Sequence, residues 1–176
     1  LEAARVSILH GPNPLGSSAS DVNGDFLFPS ALPGPYPVTT NLGSGPWFAV
    51  SPLQGAPVSD SASTTAIGGF DQVDLLLNGS RSEFATSQTT AAFHLNGIRA
   101  YATAKIPGFV APSRQRVFVN SGQATCTSKY DSKDKSLTFY AAGGGCVNTA
   151  YSTIVDHEYG HAIDDFFGAI LSNPLA

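Results

Sequence analysis

The order of apolar and polar residues divides the chain near residue 78. Up to that point, short apolar runs are separated by Pro- and Gly-rich stretches, which is typical of short β-strands joined by turns. The runs lie at 6–9, 26–28, 47–50 and 73–77. We therefore interpret residues 1–78 as a β-rich accessory or N-terminal segment.

The remainder, residues 79–176, begins with a long periodic stretch. Between residues 83 and 105 there is no Pro, and apolar side chains recur at three- and four-residue steps. This spacing predicts a helix with one apolar stripe. The stripe consists of Ala91, Ala92, Leu95, Ile98 and Ala102, and Pro107 and Gly108 follow the helix.

Three strands and a second helix complete the predicted order. The strands are expected at 116–120, 124–130 and 136–141. The second helix is expected to begin near Asn148 or Thr149, either of which can act as its N-cap, and to run through Phe166. The order predicts an α+β fold with a mixed or antiparallel sheet.

The second predicted helix contains the motif H-E-x-x-H, formed by His157, Glu158 and His161. Residues four apart lie above one another on a helix, so both imidazoles can reach one Zn²⁺ ion. Two imidazole nitrogens occupy two corners of a zinc tetrahedron, and an open corner keeps a water from which Glu158 can take a proton. The spacing therefore predicts a Zn²⁺ cofactor, two metal ligands and a catalytic base. A surface cluster without metal is the alternative.

The surrounding segment, residues 149–169, resembles the active-site helix of secreted zinc metallopeptidases of the gluzincin type, the group that contains thermolysin and the fungalysins. Residues 120–140 and 143–149 resemble the hairpin and the loop that precede this helix. The resemblance covers roughly residues 82–176 and implies a zinc endopeptidase. It implies that residues 79–176 form the N-terminal half of a zincin-like catalytic domain.

The resemblance also implies an edge strand at 126–130 that pairs with the backbone of a peptide or protein substrate. Thr127 and Ser128 are its substrate-binding residues, at positions where the family usually has an Asn-Ala pair. Asp164 and Asp165 lie one turn past His161. Either could orient an imidazole, and we expect at least one of them to face solvent.

Two groups of the family pattern have no match in the chain. Gluzincins take their third zinc ligand from a glutamate on a following helix, and a further His or Tyr stabilises the oxyanion. Because the chain ends at Ala176, we expect an incomplete catalytic unit whose partner is the remainder of the catalytic domain. The isolated chain is then expected to bind zinc weakly and to hydrolyse peptides slowly.

The two cysteines, Cys126 and Cys146, are interpreted as one disulfide, with two buried free thiols as the alternative. Low charge content and the sequon at Asn78 both fit a secreted protein in an oxidising environment. Only 12% of the residues are charged, compared with about 25% in a typical soluble domain.

Charge and length exclude further classes of function. The net charge is -4 and no basic run is present, which argues against nucleic-acid binding. No apolar stretch approaches the roughly 20 residues needed to span a bilayer, so no membrane span is expected.

Two alternatives to a peptidase stay open. One is a non-catalytic binding or adhesion module with a zincin-like scaffold, and the other is a structural zinc site completed by another chain.

Overall fold

The structure, a computed structural model, contains two helices and two four-stranded sheets, so the expected α+β class is confirmed. It describes residues 4–10, 13–28, 35–64, 72–79, 81–111, 114–122 and 126–168. The strands are β1 Arg5–His10, β2 Asn13–Ala19, β3 Pro37–Asn41, β4 Phe48–Pro52, β5 Ser59–Ser63, β6 Gln115–Ser121, β7 Lys129–Asp131 and β8 Ser136–Tyr140. The helices are α1 Glu83–Lys105 and α2 Ser152–Phe166. Within the described part, neither helix combines the length and the apolar content that crossing a bilayer requires.

The first sheet is antiparallel, with the strand order β2-β1-β3-β5. Its small core is formed by Val6, Ile8 and Val38. The predicted strands at 26–28 and 73–77 are wrong, because both segments are irregular. Their apolar side chains nevertheless pack on this core, which explains the pattern that suggested strands.

The second sheet has the order β4-β6-β8-β7. Its first three strands are parallel, and β7 joins β8 antiparallel as an edge strand. Because β4 pairs with β6, this sheet takes strands from both sides of residue 78. The division of the chain into domains at that residue stays a prediction.

Both helices pack on the second sheet and form the main core with it. The predicted stripe of α1 is confirmed: four of its five members are buried, and Ile98 packs on the core while partly exposed. The helix begins where Ser82 accepts a hydrogen bond from the Ala85 backbone N–H, 3.1 Å away. It ends before Pro107, as predicted.

The beginning of α2 differs from the prediction. The helix begins at Ser152 with Tyr151 as its N-cap, not at Asn148 or Thr149. Both predicted caps have other partners. Asn148 donates to the Glu83 carboxylate at 3.0 Å, and the Thr149 hydroxyl accepts the Tyr140 backbone N–H at 2.7 Å. These side chains join the loop to the sheet and to α1, and therefore the helix begins later.

Candidate metal centre

The α2 helix brings His157 and His161 together on one face. Their Nε2 atoms are 3.1 Å apart, and the ring planes are nearly perpendicular at 85°. Two nitrogens at a zinc–nitrogen distance of about 2.0–2.1 Å in a tetrahedron are separated by about 3.3 Å. The pair therefore fits two corners of a zinc tetrahedron. The same distance also fits an N–H···N hydrogen bond in which one ring donates and the other accepts.

Glu158, the predicted catalytic base, lies beside the two imidazoles and is only 5% exposed. Burial raises the pKa of its carboxyl above the ordinary value. His161, His157 and a hydrogen bond with the Tyr130 backbone oppose this rise. A raised pKa makes a carboxylate a stronger base, which suits a group that takes a proton from water.

The edge strand β7 lies against α2 and is held there by the carboxylate of Asp165. The Tyr130 hydroxyl donates to Asp165 Oδ2 at 2.7 Å, and Lys135 forms an ion pair with the same oxygen. The Lys135 contact, opposed by burial, lowers the pKa of Asp165. Asp165 therefore connects α2 to the β7–β8 hairpin, whereas Asp164 is exposed, as expected for one of the two.

The predicted edge strand at 126–130 is shorter and shifted in the structure. Strand β7 covers only Lys129–Asp131, and residues 126–128 are irregular. Two contacts join this segment to the loop before α2. Thr127 is exposed, while the Ser128 hydroxyl donates to Thr149 Oγ1 at 2.8 Å. A substrate-binding role for these two residues stays a prediction.

The second contact with that loop is the disulfide between Cys126 and Cys146. Their Cα atoms are 5.1 Å apart, so the predicted pairing is confirmed. Cys146 closes a tight turn, in which its backbone and that of Gly143 exchange hydrogen bonds. The bridge thereby connects the segment leading into β7 with the loop leading into α2.

Among the described residues, no three or more His, Cys, Asp and Glu side chains are grouped closely enough to hold a metal ion. In this part of the chain, the His157–His161 pair is therefore the candidate for metal binding. The sequence analysis did not predict the contacts of Asp165 with Tyr130 and Lys135. The spacing could have indicated them in part, because Glu158 and Asp165 are seven residues apart and therefore project from the same side of the helix.

We compared the chain with models of known protein families, with characterised proteins and with solved structures, and found no match in any of the three.

Proposed function

We propose that this chain carries the proton-transfer and metal-binding residues of a secreted zinc endopeptidase. His157 and His161 hold the Zn²⁺ ion, and Glu158 is the catalytic base. The observation that carries the proposal is the 3.1 Å separation of the two Nε2 atoms beside a buried carboxylate. A surface cluster of charged residues has no reason to bury its only carboxylate.

Each residue has a distinct part in hydrolysis. Zinc, when bound, supplies a Lewis acid that polarises a carbonyl group and acidifies water. Glu158 accepts the proton that water loses and delivers it to the nitrogen of the leaving amine. Burial raises the pKa of the Glu158 carboxyl, which makes it a stronger base toward the water proton than an exposed glutamate is.

The substrate is a peptide in an extended conformation. In the described part of the chain, β7 has a neighbouring strand only on the side of β8. Its other side faces α2, where the Tyr130 backbone hydrogen-bonds with Glu158, and an extended peptide pairs with the backbone groups of β7 that this contact leaves over. This arrangement favours a protein or peptide substrate over a small molecule.

A third protein ligand completes the zinc site from outside the described residues, because these provide only the two imidazoles. The remainder of a catalytic domain is the partner that we propose for this role. The disulfide favours an oxidising compartment, and we propose that the protein acts outside the cell.

The test compares zinc binding by the chain, and casein cleavage by the chain together with the rest of the parent protein, between the unmodified form and three variants. His161→Ala is expected to lose most of the zinc affinity, because one imidazole cannot hold the ion. Glu158→Gln is expected to keep the zinc and to lose at least about 100-fold in turnover, because the amide cannot accept the proton. Asp164→Asn, an exposed neighbour on the same helix, is the matched control and is expected to behave like the unmodified chain.

Two results would overturn the proposal. Zinc affinity that is equal in the unmodified chain and in His161→Ala would exclude the two-imidazole site. Zinc bound through these imidazoles with no cleavage, even when the rest of the parent protein is present, would favour a structural zinc site or a non-catalytic module.

A further inference from the structure

Tyr130 of the edge strand is in contact with two carboxylates of α2. Its backbone hydrogen-bonds with Glu158, and its hydroxyl donates to Asp165 Oδ2 at 2.7 Å. Glu158 and Asp165 are seven residues apart on the helix, so they form two attachment points along one side of it. The position of Tyr130 beside Glu158 therefore depends in part on Asp165.

Asp165 binds the β7–β8 hairpin at a second point as well. Lys135, five residues after Tyr130 and in the connection that leads to β8, pairs with the same Oδ2 atom. The Asp165 side chain is only 7% exposed, whereas that of Lys135 is 55% exposed. Asp165 thus accepts from two donors, the Tyr130 hydroxyl and the Lys135 ammonium group. Bonds to a carboxylate that is shielded from solvent are stronger than those in a fully exposed ion pair.

Within the sheet, the edge strand is held by one short pairing. It pairs with β8 over three residues, Lys129 to Asp131, and in the described part no strand lies on its other side. Short edge strands with one neighbour open readily, because few backbone hydrogen bonds must break. The contacts with Asp165 add two side-chain attachments between the hairpin and α2.

We propose that Asp165 is a positioning residue, which holds β7 against α2 so that Tyr130 stays beside Glu158 and the strand edge that faces away from β8 stays in place for an extended peptide. The structural part of this inference, the anchoring of β7, stands on the contacts alone. Its consequence for peptide binding rests on the proposed function. Asp165 touches neither imidazole and acts through Tyr130 and Lys135.

The first measurement is amide hydrogen exchange of the full, metal-free chain, in proteolytic fragments that cover β7 and β6. In Asp165→Asn, which keeps the shape of the side chain but loses its charge, exchange in β7 is expected to accelerate on the order of tenfold. Exchange in β6 is expected to stay unchanged. Tyr130→Phe, which removes only the hydroxyl, is expected to accelerate β7 by a smaller factor.

Asp164→Asn is the matched control, since it removes the neighbouring, exposed carboxylate and should leave β7 exchange unchanged. The anchoring proposal is wrong if β7 exchanges equally fast in Asp165→Asn and in the unmodified chain. It is also wrong if exchange accelerates equally in β6 and β7, because the substitution then lowers the stability of the whole domain. If Asp165→Asn does not fold, β7 exchange in Tyr130→Phe tests the anchoring instead, because this variant removes the hydrogen bond from the other side.

The second measurement is peptide hydrolysis by the catalytically competent protein. Asp165→Asn is expected to raise KM on the order of tenfold and to change kcat by less than about threefold, because a displaced strand edge weakens binding more than chemistry. An unchanged KM together with faster β7 exchange would overturn the positioning role and leave a structural anchor. If no form of the protein cleaves peptides, the proposed function fails, while the exchange comparison still decides whether Asp165 anchors β7.

Discussion

The hydroxyl of Ser87 donates a hydrogen bond to Asn120 Oδ1 at 2.6 Å, where the first turns of α1 meet the end of β6. Asn120 is fully buried and has a left-handed backbone conformation with φ at 57°. Its side-chain nitrogen donates to the Phe84 carbonyl at 3.1 Å, and Asn148 donates to its oxygen at 3.2 Å. One asparagine side chain therefore joins α1, β6 and the loop before α2.

Replacing Asn120 should be among the most destabilising polar substitutions in the chain. Asn120→Ala loses these hydrogen bonds and places a Cβ-bearing residue without a local polar partner in the left-handed region. We expect the free energy of unfolding to fall by about 2–4 kcal/mol. Asn120→Gly keeps the conformation and should lose less. Urea unfolding of both variants checks this order, and a glycine variant less stable than the alanine variant would contradict it.

Glu83 should make the stability depend on pH in the acid range. Its carboxylate accepts the Ala142 backbone N–H at 2.9 Å and the Asn148 amide at 3.0 Å, and these bonds lower its pKa. A lowered pKa means that the stabilisation is present above the pKa of the unfolded chain. It is lost as the pH falls through the lower pKa of the folded chain.

The matching substitution is Glu83→Gln. Because the carboxylate is exposed and screened by solvent, we expect a loss of at most about 1 kcal/mol in the free energy of unfolding at pH 7. The difference from the unmodified chain should shrink between pH 7 and pH 3, because protonation makes the Glu83 side chain increasingly neutral, as glutamine is. Urea unfolding at the two pH values measures it, and a difference that grows in acid would show that the sign is wrong.

The sequence was sufficient for features that local physics determines. The helix over residues 83–105 was predicted with its bounds, because a stripe of apolar residues marks its inner face and Pro107 follows it. The shared face of His157 and His161 follows from the helical repeat alone. The β1, β4, β6 and β8 strands coincide with apolar runs.

The features that the sequence did not predict depend on contacts between residues that are far apart in the chain. Strand β5 has the sequence Ser-Asp-Ser-Ala-Ser, which carries no apolar alternation, and it forms because β3 offers it a partner. Thr149 looks like an N-cap, but its hydroxyl is used by Tyr140 and Ser128. The Asp165 anchor likewise needs the hairpin packed on α2, which no local pattern encodes.

The disulfide should contribute to stability and to the order of the segment before β7. It closes a loop with a sequence separation of 20, for which the loss of chain entropy in the unfolded state corresponds to about 3 kcal/mol. The Cys126→Ser/Cys146→Ser double variant should lose about this much in urea unfolding. Thiol reduction of the unmodified chain should give the same result, and equal stability with and without the bridge would contradict the prediction.

Gly160, inside the H-E-x-x-H motif, should tolerate alanine. A Cβ added at Gly160 would meet no atom within 4 Å, and glycine is unfavourable within a helix. We expect Gly160→Ala to raise the free energy of unfolding by about 0.5–1 kcal/mol. Gly97→Ala in α1, where a Cβ also meets nothing within 4 Å, is the matched control and should give a similar gain. Thermal unfolding measures both, and a loss at residue 160 alone would indicate a contact that the structure does not contain.

Tyr159 should be the residue of the motif on which the fold depends most. It is 1% exposed, and its ring meets Phe48 of β4 edge-to-face with centroids 5.7 Å apart. Its burial also raises the pKa of the phenol to about 12. Tyr159→Ala opens a cavity between α2 and the sheet and should lower the free energy of unfolding by about 3–5 kcal/mol. Tyr159→Phe keeps the ring contact and should lose less than about 1 kcal/mol. Urea unfolding separates the two variants. An alanine variant that loses less than about 1 kcal/mol would contradict the prediction and would mean that α2 is held mainly by its contacts with β7.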